Sequence, residues 1–199
     1  MPPFIPRIVG LGGTTRPGSS TERALRYALR LLEERGARTS LLAGDELALP
    51  MYAPHEPARS AQATRLVAEL RRADAVLIAS PGYHGSMSGL VKNALDYTED
   101  MRGDAQPYLA GRAVGCIVTA AGWQAAVTTL GALRDTIHAL RGWPTPFGVC
   151  LGGDPAFDAQ GECIDPRVEA QMGILCDELM TFAQRFHTSP CTDRALAAA

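Results

Sequence analysis

Between Gly10 and Thr21 the chain gathers small residues, hydroxyls and one fixed cation: Gly12, Gly13, Gly18, Thr14, Thr15, Ser19, Ser20, Thr21 and Arg16. Such a set holds an anion. Hydroxyls and backbone N–H groups donate, and a guanidinium grips phosphate bidentately. The loop follows an apolar run, Ile8 to Leu11, and precedes helical periodicity from Thr21 to Arg35, so it joins a strand to a helix. At such a junction the unpaired N–H groups and the helix dipole favour negative charge. Thr14, Arg16, Ser19, Ser20 and Thr21 are therefore the candidate phosphate ligands. Ser19 with Glu22 also forms a capping box, which explains one Ser without any ligand but neither Arg16 nor the density of hydroxyls. A dinucleotide fingerprint fails at Thr15, where a third Gly is required, and no Gly-Lys-Ser/Thr ending is present. The expected ligand is a mononucleotide.

The elements that must position this loop alternate along the chain. Leu25, Ala28, Leu29 and Leu32 line one face of the first helix, with Arg23, Arg26, Arg30, Glu33 and Glu34 on the other and Gly36 at its end. Arg38 to Leu42 reads as a weak second strand, and a loop with Pro50, Pro54 and Pro57 leads to a helix near Ala58 to Arg72. Ala75 to Ala79 is a continuous apolar strand of the kind buried on both faces of a parallel sheet. A helix from about Ser88 to Tyr97, a strand from Ala113 to Thr119, a helix from Gln124 to Leu140 and a fifth strand from Phe147 to Leu151 follow. The last helix opens at Pro166 and runs to about Phe186, with Val168, Met172, Leu175, Leu179, Phe182 and Phe186 in a stripe suited to packing on the sheet or on a partner helix. Residues 1–187 are expected to form one domain and 188–199 a loose tail. Five alternating strands imply an α/β fold with a doubly wound parallel sheet and ligands at the carboxyl ends of the strands.

Composition narrows the partners. The 199 residues are 46% hydrophobic and 20% charged, with a net charge of −2, which offers no field for nucleic acid or anionic membrane. No transmembrane run or secretory signal is legible, so a cytoplasmic protein is expected. The five cysteines are scattered without a Cys-x-x-Cys pair and read as reduced thiols, Cys116 and Cys150 inert in the core.

Two further strand ends complete the expected pocket. Ser80-Pro81-Gly82-Tyr83-His84-Gly85-Ser86 can lay backbone against a flat heterocycle, with Tyr83 as an apolar edge. Thr119 to Gln124 again sets small residues, Gly122 among them, before one large aromatic, Trp123. Phosphate, linker and ring together suggest flavin mononucleotide (FMN). His84, as a loop His, reads as solvent-facing or backbone-bonded before it reads as a proton donor, and no metal motif or side-chain nucleophile is apparent.

Gly13 to Thr21 resembles the phosphate loop of NADPH-dependent FMN reductases, and Pro81-Gly82-Tyr83-His84-Gly85-Ser86-Met87-Ser88-Gly89-Leu90-Val91-Lys92-Asn93-Ala94-Leu95-Asp96 resembles their second signature. The resemblance implies a flavodoxin-like fold with strand order 2-1-3-4-5. It also implies a homodimer or homotetramer, with NADPH or NADH as electron donor to FMN and onward transfer to free flavin, a quinone or an azo compound. By position, Thr14, Arg16, Ser19, Ser20 and Thr21 would contact the phosphate. Pro81, Gly82, Tyr83, His84, Gly85 and Ser86 would line the ring, and Thr119 and Gly122 would flank it. Chemistry of this kind is carried by the flavin, so no catalytic side chain is expected. Released reduced flavin could feed a partner monooxygenase. Glu22 and Trp123 depart from the pattern: a carboxylate near phosphate is tolerable only if it folds back in the capping box or meets Arg16, and Trp123 would narrow the ring pocket. The alternatives are a non-enzymatic electron carrier or flavin sensor, and a hydrolase or transferase using the loop for another phosphate.

Overall fold

Apolar runs such as Ala75 to Ala79 need cover on both sides, and the fold supplies it with a parallel sheet between two helical layers. A computed structural model describes residues 4–153 and 155–188. The strands are β1 (Arg7–Gly12), β2 (Arg38–Ala43), β3 (Ala75–Tyr83), β4 (Ser86–Met87), β5 (Ala113–Ala120), β6 (Trp143–Pro144) and β7 (Val149–Gly152). The helices are α1 (Ser20–Glu34), α2 (Ala61–Arg72), α3 (Gly89–Asp96), α4 (Trp123–Ala139) and α5 (Pro166–Thr188), with 3-10 turns at Gly44–Leu47 and Tyr97–Met101. The parallel order is β2-β1-β3-β5, with β6 and β7 both paired to β5.

Seven strands therefore stand where five were expected, and two local causes account for the difference. The fifth position is split because the Trp143 and Thr145 N–H groups donate to the Arg112 and Val114 carbonyls at 2.9 and 3.0 Å but the Phe147 N–H, next in that series, does not follow them. The chain leaves the sheet after Thr145 and rejoins at Val149, tied across the gap by the Phe147 N–H donating to Oε2 of Glu178 at 2.9 Å. The extra strand β4 is the return arm of a hairpin on the end of β3. Helix α5 extends to Thr188, two residues past the expected end, and residues 189–199 of the expected tail lie outside the described residues.

On one face α1 and α5 cover Ile8, Leu77 and Ile117 with Leu25, Leu29, Met172, Leu175 and Leu179. On the other, α2, α3 and α4 cover Val9, Leu11, Val76 and Ile78 with Leu66, Leu70, Val91 and Leu133. The α5 stripe thus packs on the sheet, while Phe186 at its end is 44% exposed and joins Phe182 and Trp143 in a surface aromatic cluster. Cys116 and Cys176 are buried, and that burial pushes both thiols up to about 12.

At the carboxyl edge β1 crosses so close to β3 that a Cβ on Gly12 would lie 1.9 Å from the Ala79 carbonyl oxygen. The Gly13 N–H donates to that same oxygen at 3.0 Å. This contact aims the following loop across the top of the sheet.

Candidate functional site

The loop from Gly13 to Ser19 is shaped by its own short side chains. The Thr14 hydroxyl accepts the Arg16 N–H at 3.1 Å and donates to the Arg16 carbonyl at 3.3 Å, which folds residues 14–16 into a tight turn. Ser19 caps α1 by accepting the Glu22 N–H at 3.3 Å. Glu22 reaches back, but one residue further than a regular capping box: its Oε2 accepts the Gly18 N–H at 3.0 Å. Arg26 neutralises it through Nε and Nη2, both 2.8 Å from Oε1. The acidic departure is thus compensated by Arg26, not by Arg16. Among the described residues no carboxylate pairs with the exposed Arg16 guanidinium.

Thr14, Arg16, Ser19, Ser20 and Thr21 meet Pro81 and Tyr83 from β3 and Thr119 from β5 around one cleft of about 420 Å³. Ligand sites of this kind are roughly 300–1,000 Å³. Thr21 is 2% exposed and shares a 2.5 Å hydrogen bond with the Thr119 hydroxyl, so these two tie the helix start to the end of β5. Ser20 and Thr119 also border a second cleft of about 330 Å³ that runs on toward Leu151 and Phe157.

Arg23 belongs to both clefts, and sequence periodicity had placed it on the outer polar face of α1. Its Nη2 lies 3.9 Å from where a Cβ on Gly18 would stand. The missed signal is directional: helical side chains slope toward the N-terminus, so a long residue in the first turn covers the preceding loop.

The expected ring loop is a two-residue hairpin. Gly82 pairs with Met87 and Tyr83 with Ser86, and the central His84 and Gly85 have φ of 53° and 82°. Two left-handed residues in succession make the turn whose twist suits a hairpin. The buried Ser80 hydroxyl accepts the Ser88 N–H at 2.9 Å, and the Thr129 hydroxyl donates to the Ser86 carbonyl at 3.3 Å, pinning the hairpin to the sheet and to α4. Tyr83 is 54% exposed, and His84 and Ser86 face solvent. Gly82, His84, Gly85 and Ser86 form the rim beside the cleft rather than its wall. Gly122 is the first-turn boundary of α4, without a side-chain cap, and lies beyond the cleft against Gly152. Trp123 packs on Gly152 yet remains 61% exposed.

The loop from Leu49 to Arg59 is held by Asn93 of α3. Asn93 Oδ1 accepts the Tyr52 N–H at 2.8 Å, and its Nδ2 donates to the Pro50 carbonyl at 2.9 Å. Arg59 pairs with both Asp100 oxygens at 2.8 and 2.9 Å and stacks over Tyr52, and the Asp100 contact raises the guanidinium above its ordinary range. Asn93 is therefore a packing residue of this loop, while Lys92 pairs with Asp96 on the surface.

The arrangement gathers hydroxyls and the Arg16 and Arg23 guanidinium groups around one cleft, with Tyr83 beside them. Residues 6–153 match the profile of a family described as NADPH-dependent FMN reductase. The chain is 30% identical to an NAD(P)H-dependent FMN reductase of Pseudomonas aeruginosa over 165 residues, 81% of this chain and 86% of that protein. It is 27% identical to an NADPH azoreductase of a Bacillus species over 164 residues, again 81% and 86%. The flavoenzyme NAD(P)H:(acceptor) oxidoreductase FerB of Paracoccus denitrificans superposes with a TM-score of 0.76 at 21% identity, covering 92% of this chain and 99% of that one, which shows the shared flavodoxin-like fold.

Proposed function

Because the chain belongs to the NADPH-dependent FMN reductase family, we propose that its cleft holds FMN with the phosphate in the loop from Thr14 to Thr21 and the ring beside the Pro81–Ser86 hairpin. The protein is an NAD(P)H-dependent, FMN-using oxidoreductase. One observation carries the placement: Arg16 lines a hydroxyl-rich cleft with no carboxylate on its guanidinium among the described residues, while Glu22 in the first turn of α1 is occupied by Gly18 and Arg26. A dianionic phosphate fits that donor set.

When bound, FMN would supply the two-electron redox chemistry that links NADPH or NADH to an acceptor. The chain's residues then have positioning roles. Arg16 and the hydroxyls of Ser19 and Ser20 fix the phosphate, the Thr21–Thr119 pair holds the two walls at a set spacing, and the rigid hairpin fixes where a planar ring and a second planar substrate stack. Free flavin, a quinone or an azo compound is the proposed acceptor, the last in keeping with the Bacillus relative.

Tyr83 on the cleft, together with the exposed Met51, Trp123 and Val127 elsewhere on the surface, supports a homo-oligomer in which a second copy covers exposed apolar side chains. A cytoplasmic location, one FMN-binding domain over residues 1–187 and a partner monooxygenase fed by released flavin complete the proposal. The experiment for the placement is titration of Arg16→Ala with FMN. Loss of a charge-assisted bond predicts a weakening of about 1.5–3 kcal/mol. Unchanged affinity would remove Arg16 from the site.

A further inference from the structure

Helix α1 and its end carry four arginines that face other groups, and three of them are paired: Arg26 with Glu22, Arg30 with Glu162 and Arg35 with Asp177. Arg23 is the exception. Among the described residues no carboxylate pairs with it, although it is half-buried and its guanidinium lies over Gly18 at the mouth of the phosphate loop. A cation in the first turn of a helix opposes the dipole, so its position there is unfavourable until an anion arrives. Arg23 lines the same cleft as Arg16, Ser19 and Ser20, and with Ser20 it also lines the adjoining cleft toward Phe157.

We propose that Arg23 is a second phosphate-gripping arm beside Arg16 in the same cleft, and that the pair makes the site select a flavin bearing a terminal phosphate over riboflavin. This rests on the FMN placement above and adds a residue from the helix to the loop. Two guanidiniums match the charge of a phosphate dianion, whereas Arg16 alone leaves one charge unmet. Neutral riboflavin gains nothing from either arm, so Arg23 contributes to discrimination and not to ring binding.

The test is fluorescence titration of the full chain, as wild type, Arg23→Gln, Arg23→Lys and Arg16→Ala, with FMN and separately with riboflavin, plus competition of FMN by inorganic phosphate. Far-UV circular dichroism and the thermal midpoint report the fold of each variant. Arg23→Gln is expected to weaken FMN about tenfold or more and to weaken phosphate competition, with riboflavin affinity unchanged. Arg23→Lys should recover part of the loss, since a point charge replaces the fork. FMN affinity equal to wild type in Arg23→Gln, while Arg16→Ala is weakened, would overturn the role of Arg23 and leave the placement standing. Equal losses for FMN and riboflavin would also overturn it. A wild-type chain that binds no FMN would overturn both.

Discussion

The amide of Gly18 donates to Oε2 of Glu22 at 3.0 Å while Arg26 holds the other carboxylate oxygen. Glu22 therefore braces the loop with one oxygen while its charge is paired with Arg26. It is 8% exposed and ion-paired with a neighbour one turn along the helix.

Replacing Glu22 separates its charge from its brace. Glu22→Gln keeps an acceptor for the Gly18 N–H and removes one negative charge, so FMN should bind as well as or better than wild type. Glu22→Ala frees the loop and leaves Arg26 unpaired, and should weaken FMN by about 1.5–3 kcal/mol, the scale of one lost hydrogen bond to a charged group. Parallel isothermal titrations of the two variants check this. Equal weakening in both would assign the effect to charge and not to the brace.

Gly85 sits at φ 82° in the hairpin turn, where a β-branched side chain is strained. Gly85→Val should cost roughly 1–3 kcal/mol and lower Tm by roughly 3–10 °C. Gly122→Ala is the matched control, since nothing lies within 4 Å of an added Cβ there and the backbone is extended. Differential scanning calorimetry of the pair reads the contrast, and an unchanged Tm in Gly85→Val would show that the turn tolerates a side chain.

Much of the sheet was legible because its strands are apolar runs and its helices carry clear stripes. Ala75 to Ala79 and the stripe from Val168 to Leu179 led directly to β3 and α5. Strand ends were harder, since they depend on partners and not on local pattern. Pro81 continues β3 in register with Thr119, and the return arm Ser86–Met87 has too few residues to show alternation. In the site, residue type and spacing pointed to the hydroxyls and Arg16, but charge pairing did not follow from sequence. That Glu22 answers Arg26 and that Arg23 turns back over Gly18 depends on side-chain direction along α1.

The buried thiols carry a pH dependence. Cys116 and Cys176 stay neutral when folded, with values raised from 9.0 to about 12 by burial, while in the unfolded chain they ionise near 9. Unfolding then releases protons above pH 9, so this share of stability is intact below that value and falls as pH rises from about 9 toward 12. Burial raises Tyr27 and Tyr52 in the same direction. Urea midpoints should decline over that window, and iodoacetamide at pH 9 should modify Cys116 and Cys176 only in denaturant. Rapid labelling of either in the native protein would contradict their burial.

The most direct measurement is the visible spectrum of the purified chain with added FMN, taken anaerobically before and after NADPH and then NADH. The account predicts a perturbed flavin spectrum on binding and bleaching by at least one of the two nucleotides, with colour restored by an acceptor such as a quinone. A flavin that binds without bleaching would contradict the reductase and favour an electron carrier or sensor, and a chain that leaves the FMN spectrum unchanged would contradict the flavin site itself.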